Sequence, residues 1–525
     1  MTTLLEGFLR SARRHPERPA LTLAAASISY AELERWALRV AGSLEPGGSS
    51  ALAGVLGYRS LAAYAGVLGV LASGRGFVPL NPRFPARRLR ELIEAARLEH
   101  IVVGPENIAM LRELLPLIER PLTLVMVAEA LPAALEAGVA PHRLVLVGER
   151  TATLAPSSEL AYVMFTSGST GKPKGVPIPQ ANAEAYVDHL VSCFELTATD
   201  VFSQTFDLSF DLSVHDLFVC WRAGGRLAVV PEASLLSPAK WARTNGVTVW
   251  FSVPSMAMVM ADLGTLKPHS LADLRISFFC GEALPASVVE RWRAAAPGSA
   301  IVNLYGPTEA TIAIASYVWD PATSPAQCRN GVVPLGAIFP TQRGRVADET
   351  GRAVAKEHEG ELWLAGSQVA TGYLDAPERT RERFVTETAV ALQDGVSQWY
   401  RTGDRVVEDA DGVLHYLGRF DEQIKIRGHR FELLEIEHVL RRAAGAASVA
   451  CVGWPSREGH AEGVVGFVAA PGGDVAAILA QCRAELPDYA VPKRLVFIGE
   501  LPLNANGKVS RAELIARLNR ENGDA

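Results

Sequence analysis

The sequence predicts an α/β fold in two parts. A large N-terminal domain contains layered α/β sheets and a β-rich subdomain, and a small α+β C-terminal domain follows. Three observations carry this. Short apolar, β-branched runs alternate with longer Ala/Leu/Arg-rich segments through the middle of the chain, as strands and helices do in stacked layers. Turn-rich short strands take over after about residue 330, and from Leu433 the pattern changes again to helix, strand, strand, helix. At 525 residues with 49% hydrophobic composition, the chain exceeds one ordinary domain and can bury several cores.

Taken in order, the opening MTTLLEGFLRSARRHPERP has the spacing of an amphipathic helix and lacks the apolar centre of a signal peptide. ALAGVLGY, HIVVG, LVLVG, RLAVVP and VTVWFSVP read as strands, and PARRLRELIEAARL reads as a helix. The weakly polar stretch Leu61 to Ser73 is too short for a bilayer span and contains glycines. Pro321 to Gly336 reads as a long surface connection. GELWLAG, VVEDADGVLHYLGR and QIKIRGHRFE form the β-rich part, with Asp411-Gly412 marking a hairpin turn. LLEIEHVLRRAA, ASVACVGWP, GVVGFVAAP and DVAAILAQCRAELP then form the small lobe. The boundary is placed at Asp421, giving domains 1–420 and 421–525.

Bulk properties narrow the function. The net charge of -6 comes from 51 basic and 57 acidic residues without a long block of one sign, which argues against a nucleic-acid-binding tail or a polybasic membrane anchor. The six cysteines lack C-x-x-C spacing, so neither a zinc site nor a disulfide framework is encoded. A cytoplasmic enzyme of small-molecule chemistry is expected.

The strongest local signal is Thr166-Ser167-Gly168-Ser169-Thr170-Gly171-Lys172-Pro173-Lys174-Gly175, between the apolar run AYVMF and VPI. Its glycines permit close backbone approach, its hydroxyls and amides donate hydrogen bonds, and Lys172 and Lys174 supply charge, which together make a triphosphate grip. It is not a Walker A loop. Gly168 and Gly171 stand too close, and Pro173 follows Lys172 where Ser or Thr would coordinate magnesium.

This loop resembles the signature of the adenylate-forming superfamily, which includes acyl-CoA synthetases, luciferases and the adenylation domains of nonribosomal peptide synthetases. Further matches follow in the family's order: GRGFVPLNPRFP, FDLSV, NLYGPTEAT, GELWLAGSQVATGY, YRTGD, GRFDEQIKIRGHRFELLEIE and NANGK. FDLSFDLSVHDLF and FFCGEALP are most similar to the amino-acid-activating branch, in particular D-alanine:D-alanyl carrier protein ligases. Leu434 departs from the glycine that many relatives carry there.

The resemblance implies ATP and Mg2+ as cofactors and assigns roles. Tyr305 faces the adenine ring, Thr308 bonds the α-phosphate and Glu309 holds magnesium. Asp404, in the YRTGD turn, anchors the ribose hydroxyls; Arg419 lies near ribose and phosphate, and Tyr416 flanks the nucleotide or is a packed strand residue. Lys508 is the mobile lysine of adenylation, and Asp421 is the hinge about which the small lobe turns so that a face carrying Lys425 to Gly428 forms a thiol tunnel. Asp211 pairs with a substrate α-ammonium, or caps the helix that follows. By alignment the side-chain pocket comprises Leu212, His215, Phe278, Cys280, Leu304, Ile312 and Ala313, with Phe251 or Ser252 joining it. His215 is either a contact to a hydroxyl or a satisfied core histidine.

A mostly apolar pocket around one carboxylate suggests a small neutral amino acid of the alanine, serine, glycine or proline class. Only a short tail follows Lys508, so the acceptor is expected to be the phosphopantetheine thiol of a separate carrier protein, with no nucleic-acid or membrane partner. The alternatives are an acyl-CoA synthetase acting on a non-amino carboxylic acid, and a nucleotide-binding scaffold that has lost its chemistry.

Overall fold

The computed structural model describes residues 3–24, 26–44, 50–128, 140–148, 154–155, 158–166, 173–235, 237–386, 398–420, 423–426, 428–446, 448–457, 460–502 and 509–523. Among these, the large domain is built on two mostly parallel sheets. The first has seven strands in the order Arg143–Leu146, Thr123–Met126, His100–Val103, Leu52–Leu56, Gly76–Leu80, Leu160–Thr166 and Lys174–Pro179, and only the last pair is antiparallel. The second has nine, with Val201–Gln204, Val249–Ser252, Ile276–Phe279 and Ala300–Tyr305 side by side and parallel at its centre.

The inner faces of these sheets share one core. Val55, Phe77 and Tyr162 of the first sheet join Phe202, Phe251 and Phe278 of the second. The helix Leu61–Ala72 lies within this core with every residue after Leu61 buried, which accounts for a segment apolar on all sides yet too short for a membrane. No helix among the described residues is long and apolar enough to cross a membrane. The opening helix Leu4–Arg14 buries its apolar stripe and closes its N-terminus with a capping box from Thr3 and Glu6.

The β-rich part is an antiparallel sheet of Gln342–Ala347, Glu359–Gly366, Gln398–Glu408, Phe384–Thr386 and Leu414–Arg419. Asp411-Gly412 turns the last hairpin as expected, with Gly412 at φ 86°. Two expectations are corrected. YRTGD is not a turn: it lies inside the strand Gln398–Glu408, where flanking register shifts and Gly403 at φ 75° make the ladder locally irregular. Pro321 to Gly336 is not simply a surface connection. It contains the helix Ser324–Gln327, tied to Tyr317, and Val333 and Leu335 are buried against neighbouring cores.

The small lobe packs the helices Leu433–Ala444, Val475–Arg483 and Arg511–Glu521 on the sheet Val449–Gly453, Val464–Ala469 and Arg494–Ile498. Ahead of it the hairpin Gln423–Ile426 and His429–Glu432 reaches into the large domain. A buried Arg88–Glu435 ion pair at 2.9 Å pins the two parts together beside it.

Candidate active site

The strands Leu160–Thr166 and Lys174–Pro179 present the ends of the glycine-rich loop, the strand-loop-strand context read from the sequence. Ser167, Gly168, Ser169, Thr170, Gly171 and Lys172 lie outside the described residues, as do Asp421 and Lys508. Among the described residues Thr166 Oγ1 is buried without a hydrogen-bond partner, and Thr166 lines a cavity of about 70 Å³ shared with Thr308 and Asp211. An orphaned hydroxyl in such a place suits a phosphate oxygen. Lys174 pairs with Glu309, at 3.3 Å, and lies over the Tyr373 ring. Burial lowers its pKa to about 8 against the pull of Glu309.

Opposite, the strand Ala300–Tyr305 ends in Gly306-Pro307 and a single 3₁₀ turn, Thr308–Ala310. Gly306 is required there, since a Cβ would stand 2.5 Å from the Ala313 Cα. Thr311 and Ile312 follow at φ 56° and 73°, a left-handed pair that holds the loop's fold at the site. Tyr305 Oη donates to Asp404 Oδ2 at 2.5 Å, while Arg419 pairs with Asp404 Oδ1. Tyr305, Tyr416 and Arg419 together line a cavity of about 640 Å³ between the two lobes. In this arrangement both Asp404 oxygens already have partners.

Glu309 is wholly buried. Oε1 accepts from Lys174 and from Tyr373 Oη at 2.8 Å, and Oε2 accepts from Arg430 at 3.2 Å. Burial alone would raise its pKa, yet Arg430 and Lys174 hold it well below the usual carboxylate range. A carboxylate is the right donor for magnesium. Here Lys174 and Arg430 occupy the positions a cation would take, so a metal on Glu309 requires Arg430 to withdraw.

Asp211 precedes the short helix Leu212–Val214, but its side chain makes no cap. It is 4% exposed and its Oδ2 has no hydrogen-bond partner. Burial raises its pKa to about 7, with a hydrogen bond from Thr308 opposing the shift and Glu309 adding to it. No capping hydrogen bond forms, and a buried carboxyl with one oxygen unpartnered among the described residues faces the cavity.

Leu212, Phe278, Cys280, Leu304, Ile312 and Ala313 belong to one buried cluster, and the buried His215 packs against its Phe278. Phe251 joins them, 4.2 Å from His215 between ring centres, whereas Ser252 accepts instead from Trp250 Nε1. His215 begins a π-helical stretch, His215–Val219, and its Nδ1 meets Tyr186 Oη at 2.7 Å. Its Nε2 has no partner, so both earlier readings of this residue keep one nitrogen each. Burial lowers its pKa to about 3 and pushes the Cys280 thiol up to about 12, so both side chains are uncharged near neutral pH.

Several participants carry no role in the sequence reading. Arg430 and Tyr373 grip Glu309, and Glu282 Oε1 accepts the Gly428 N–H at 2.6 Å. His429 stacks between Phe210 and Tyr489. The matched strings GHRFE, ATGY and FCGE contain Arg430, Tyr373 and Glu282, but adjacency in a motif does not reveal a partner far away in sequence.

Residues 8–374 match the family model described as AMP-binding enzyme, and residues 435–508 match that of the AMP-binding enzyme C-terminal domain. A probable non-canonical nonribosomal peptide synthetase of Salinispora arenicola, CymA, is 36% identical over 97% of the chain, which spans only 6% of that protein. The phenyloxazoline synthase MbtB of Mycobacterium tuberculosis is 32% identical, and the chain spans 35% of it. The D-alanine–D-alanyl carrier protein ligase of Bacillus licheniformis is 29% identical, over 97% of this chain and 98% of the other. Among solved structures, the Vibrio cholerae adenylation domain AlmE in complex with glycyl-adenosine-5'-phosphate superposes with a TM-score of 0.90 at 33% identity, covering 99% of this chain and 98% of that one.

Proposed function

The chain belongs to the AMP-binding enzyme family, and from that premise we propose that it activates the carboxylate of a small neutral amino acid with ATP, as an aminoacyl-AMP, and passes the aminoacyl group to the phosphopantetheine thiol of a separate carrier protein. The observation that carries the amino acid is Asp211. A buried carboxyl with an unpartnered oxygen is costly unless a cation meets it, and an α-ammonium supplies that cation. The apolar walls of Leu212, Phe278 and Ile312 leave little for a charged side chain to bond.

In the first half-reaction Thr166 and the loop 167–172 cradle the phosphates, and Thr308 holds the α-phosphate beside Asp211. Tyr305, Asp404, Tyr416 and Arg419 hold the nucleoside once their mutual bonds open. Glu309 would hold magnesium, which would supply positive charge to the phosphates. Lys508 meets the carboxylate and α-phosphate as they react, after the small lobe of residues 421–525 turns about Asp421. Docking of Gly428 on Glu282 and of Arg430 on Glu309 supports assigning the present arrangement to the thiol half of the cycle. Two relatives support the ligand classes: AlmE by its glycyl adenylate, and the carrier protein ligase by its name.

The test is amino-acid-dependent exchange of pyrophosphate into ATP, run across the proteinogenic amino acids and D-alanine. One small neutral amino acid should dominate. Silence with all of them, together with turnover of a fatty or aryl acid, would establish the acyl-CoA synthetase reading instead.

A further inference from the structure

Lys425 stands where two cavities meet. With Glu282, Tyr416 and Arg419 it lines the interlobe cavity of about 640 Å³, and with Asp211, Thr308 and Gly428 it lines an inner one of about 40 Å³. The hairpin holds it there: Lys425 lies in the strand Gln423–Ile426, paired with Arg430 across the ladder. The neighbouring cations are tied, Lys174 and Arg430 to Glu309, Arg419 to Asp404 and Arg88 to Glu435. Among the described residues none gives Lys425 Nζ a hydrogen bond or an ion pair; its attraction to Asp404 acts from farther away. Burial lowers its pKa, Asp404 and Cys280 oppose that shift, and Arg419 and Arg430 reinforce it.

Building on the adenylate-forming reading above, we propose that Lys425 accepts the proton of the acceptor thiol as it reaches the acyl pocket. A thiol has an ordinary pKa of about 8.5 and reacts as the thiolate, so transfer needs a proton acceptor at this point. The S–H bond breaks toward Nζ as sulfur forms its bond to the acyl carbonyl carbon. The carbonyl C–O bond to the α-phosphate then breaks, and its electron pair leaves with AMP. The ammonium returns its proton to solvent through the larger cavity.

The other groups are unsuited to this role. The Cys280 thiol is pushed up to about 12 by burial and keeps its own proton. Glu282 is committed to the Gly428 N–H, and Arg419 and Arg430 do not deprotonate in proteins. Asp211 carries the substrate ammonium in the reading on which this proposal rests.

The experiment loads the enzyme with its adenylate, removes free nucleotide, and follows single turnovers with pantetheine and, separately, with hydroxylamine, a neutral amine nucleophile that attacks without prior loss of a proton. Loading of the wild type is measured first; its absence would overturn the adenylation reading and this proposal with it. Lys425→Arg keeps the charge but not the base, and Lys425→Gln tests the position without a bulky guanidinium. Both should slow pantetheine at least roughly tenfold while hydroxylamine is spared, and should remove the alkaline-rising limb of the pantetheine rate. Equal loss with both nucleophiles, or a wild-type pantetheine rate and pH profile in Lys425→Arg, would overturn the proposal.

Discussion

At the scale of single residues, the account turns on Asp211. Truncating one partner of a buried charge pair costs about 2–5 kcal/mol, so Asp211→Ala should lower kcat/KM for the amino acid roughly 30-fold to several-thousand-fold in pyrophosphate exchange. Full retention of activity would favour a substrate without an amine. The same carboxyl makes a stability prediction. Its folded pKa, about 7, lies above the ordinary aspartate value of 3.8, so the native state holds the extra proton between them and stability falls as pH rises through that window. His215 acts oppositely, gaining stability as pH rises from about 3 to 6.5. Denaturant titrations of wild type and Asp211→Asn should therefore differ in slope between pH 4 and 7: the variant loses the downward component and keeps the upward one of His215, and saturating amino acid substrate removes the downward component from the wild type. Asp211 was legible in FDLSV because its motif is contiguous. Arg430 and Tyr373 were not assigned, because what makes them matter is a shared carboxylate 121 and 64 positions away.

At the scale of elements, the proposal gives the hairpin of residues 423–432 the choice between the two half-reactions. Gly428 has φ 81°, and a Cβ on it would lie 2.4 Å from Val253 Cγ1. Gly428→Ala should strain the docked hairpin by about 1–3 kcal/mol and slow thiol transfer from preformed adenylate roughly tenfold to hundredfold. Equal slowing of pyrophosphate exchange would contradict the assignment of this hairpin to the thiol half. Local chemistry made some elements readable in advance. Asp411-Gly412 announced its hairpin, and the capping pair Thr3 and Glu6 closes a helix that periodicity had located. YRTGD read as a turn because Thr, Gly and Asp favour turns; the strand forms because Glu359–Gly366 pairs with it along its length and absorbs the irregularity as register shifts.

At the scale of the whole molecule, two lobes share one site, and the present structure has the small lobe docked through Arg88–Glu435, Arg430–Glu309 and Gly428–Glu282. The layered sheets were legible because buried parallel strands read as continuous apolar runs and helices as amphipathic ones. The order of strands within each sheet was not, since chain neighbours such as Val201–Gln204 and Arg226–Val229 pair beside the distant Pro19–Leu23. Division of labour between lobe faces predicts that Lys508→Ala lowers adenylation about 10²- to 10³-fold while thiol transfer from preformed adenylate is largely spared. Equal loss in both halves would contradict it. The most direct test of the central claim is mass spectrometry of the enzyme incubated with ATP, Mg2+ and the amino acid preferred in exchange. Aminoacyl-AMP should appear with one pyrophosphate released for each; bound ATP with no adenylate, or an adenylate formed only from acids lacking an amine, would contradict it.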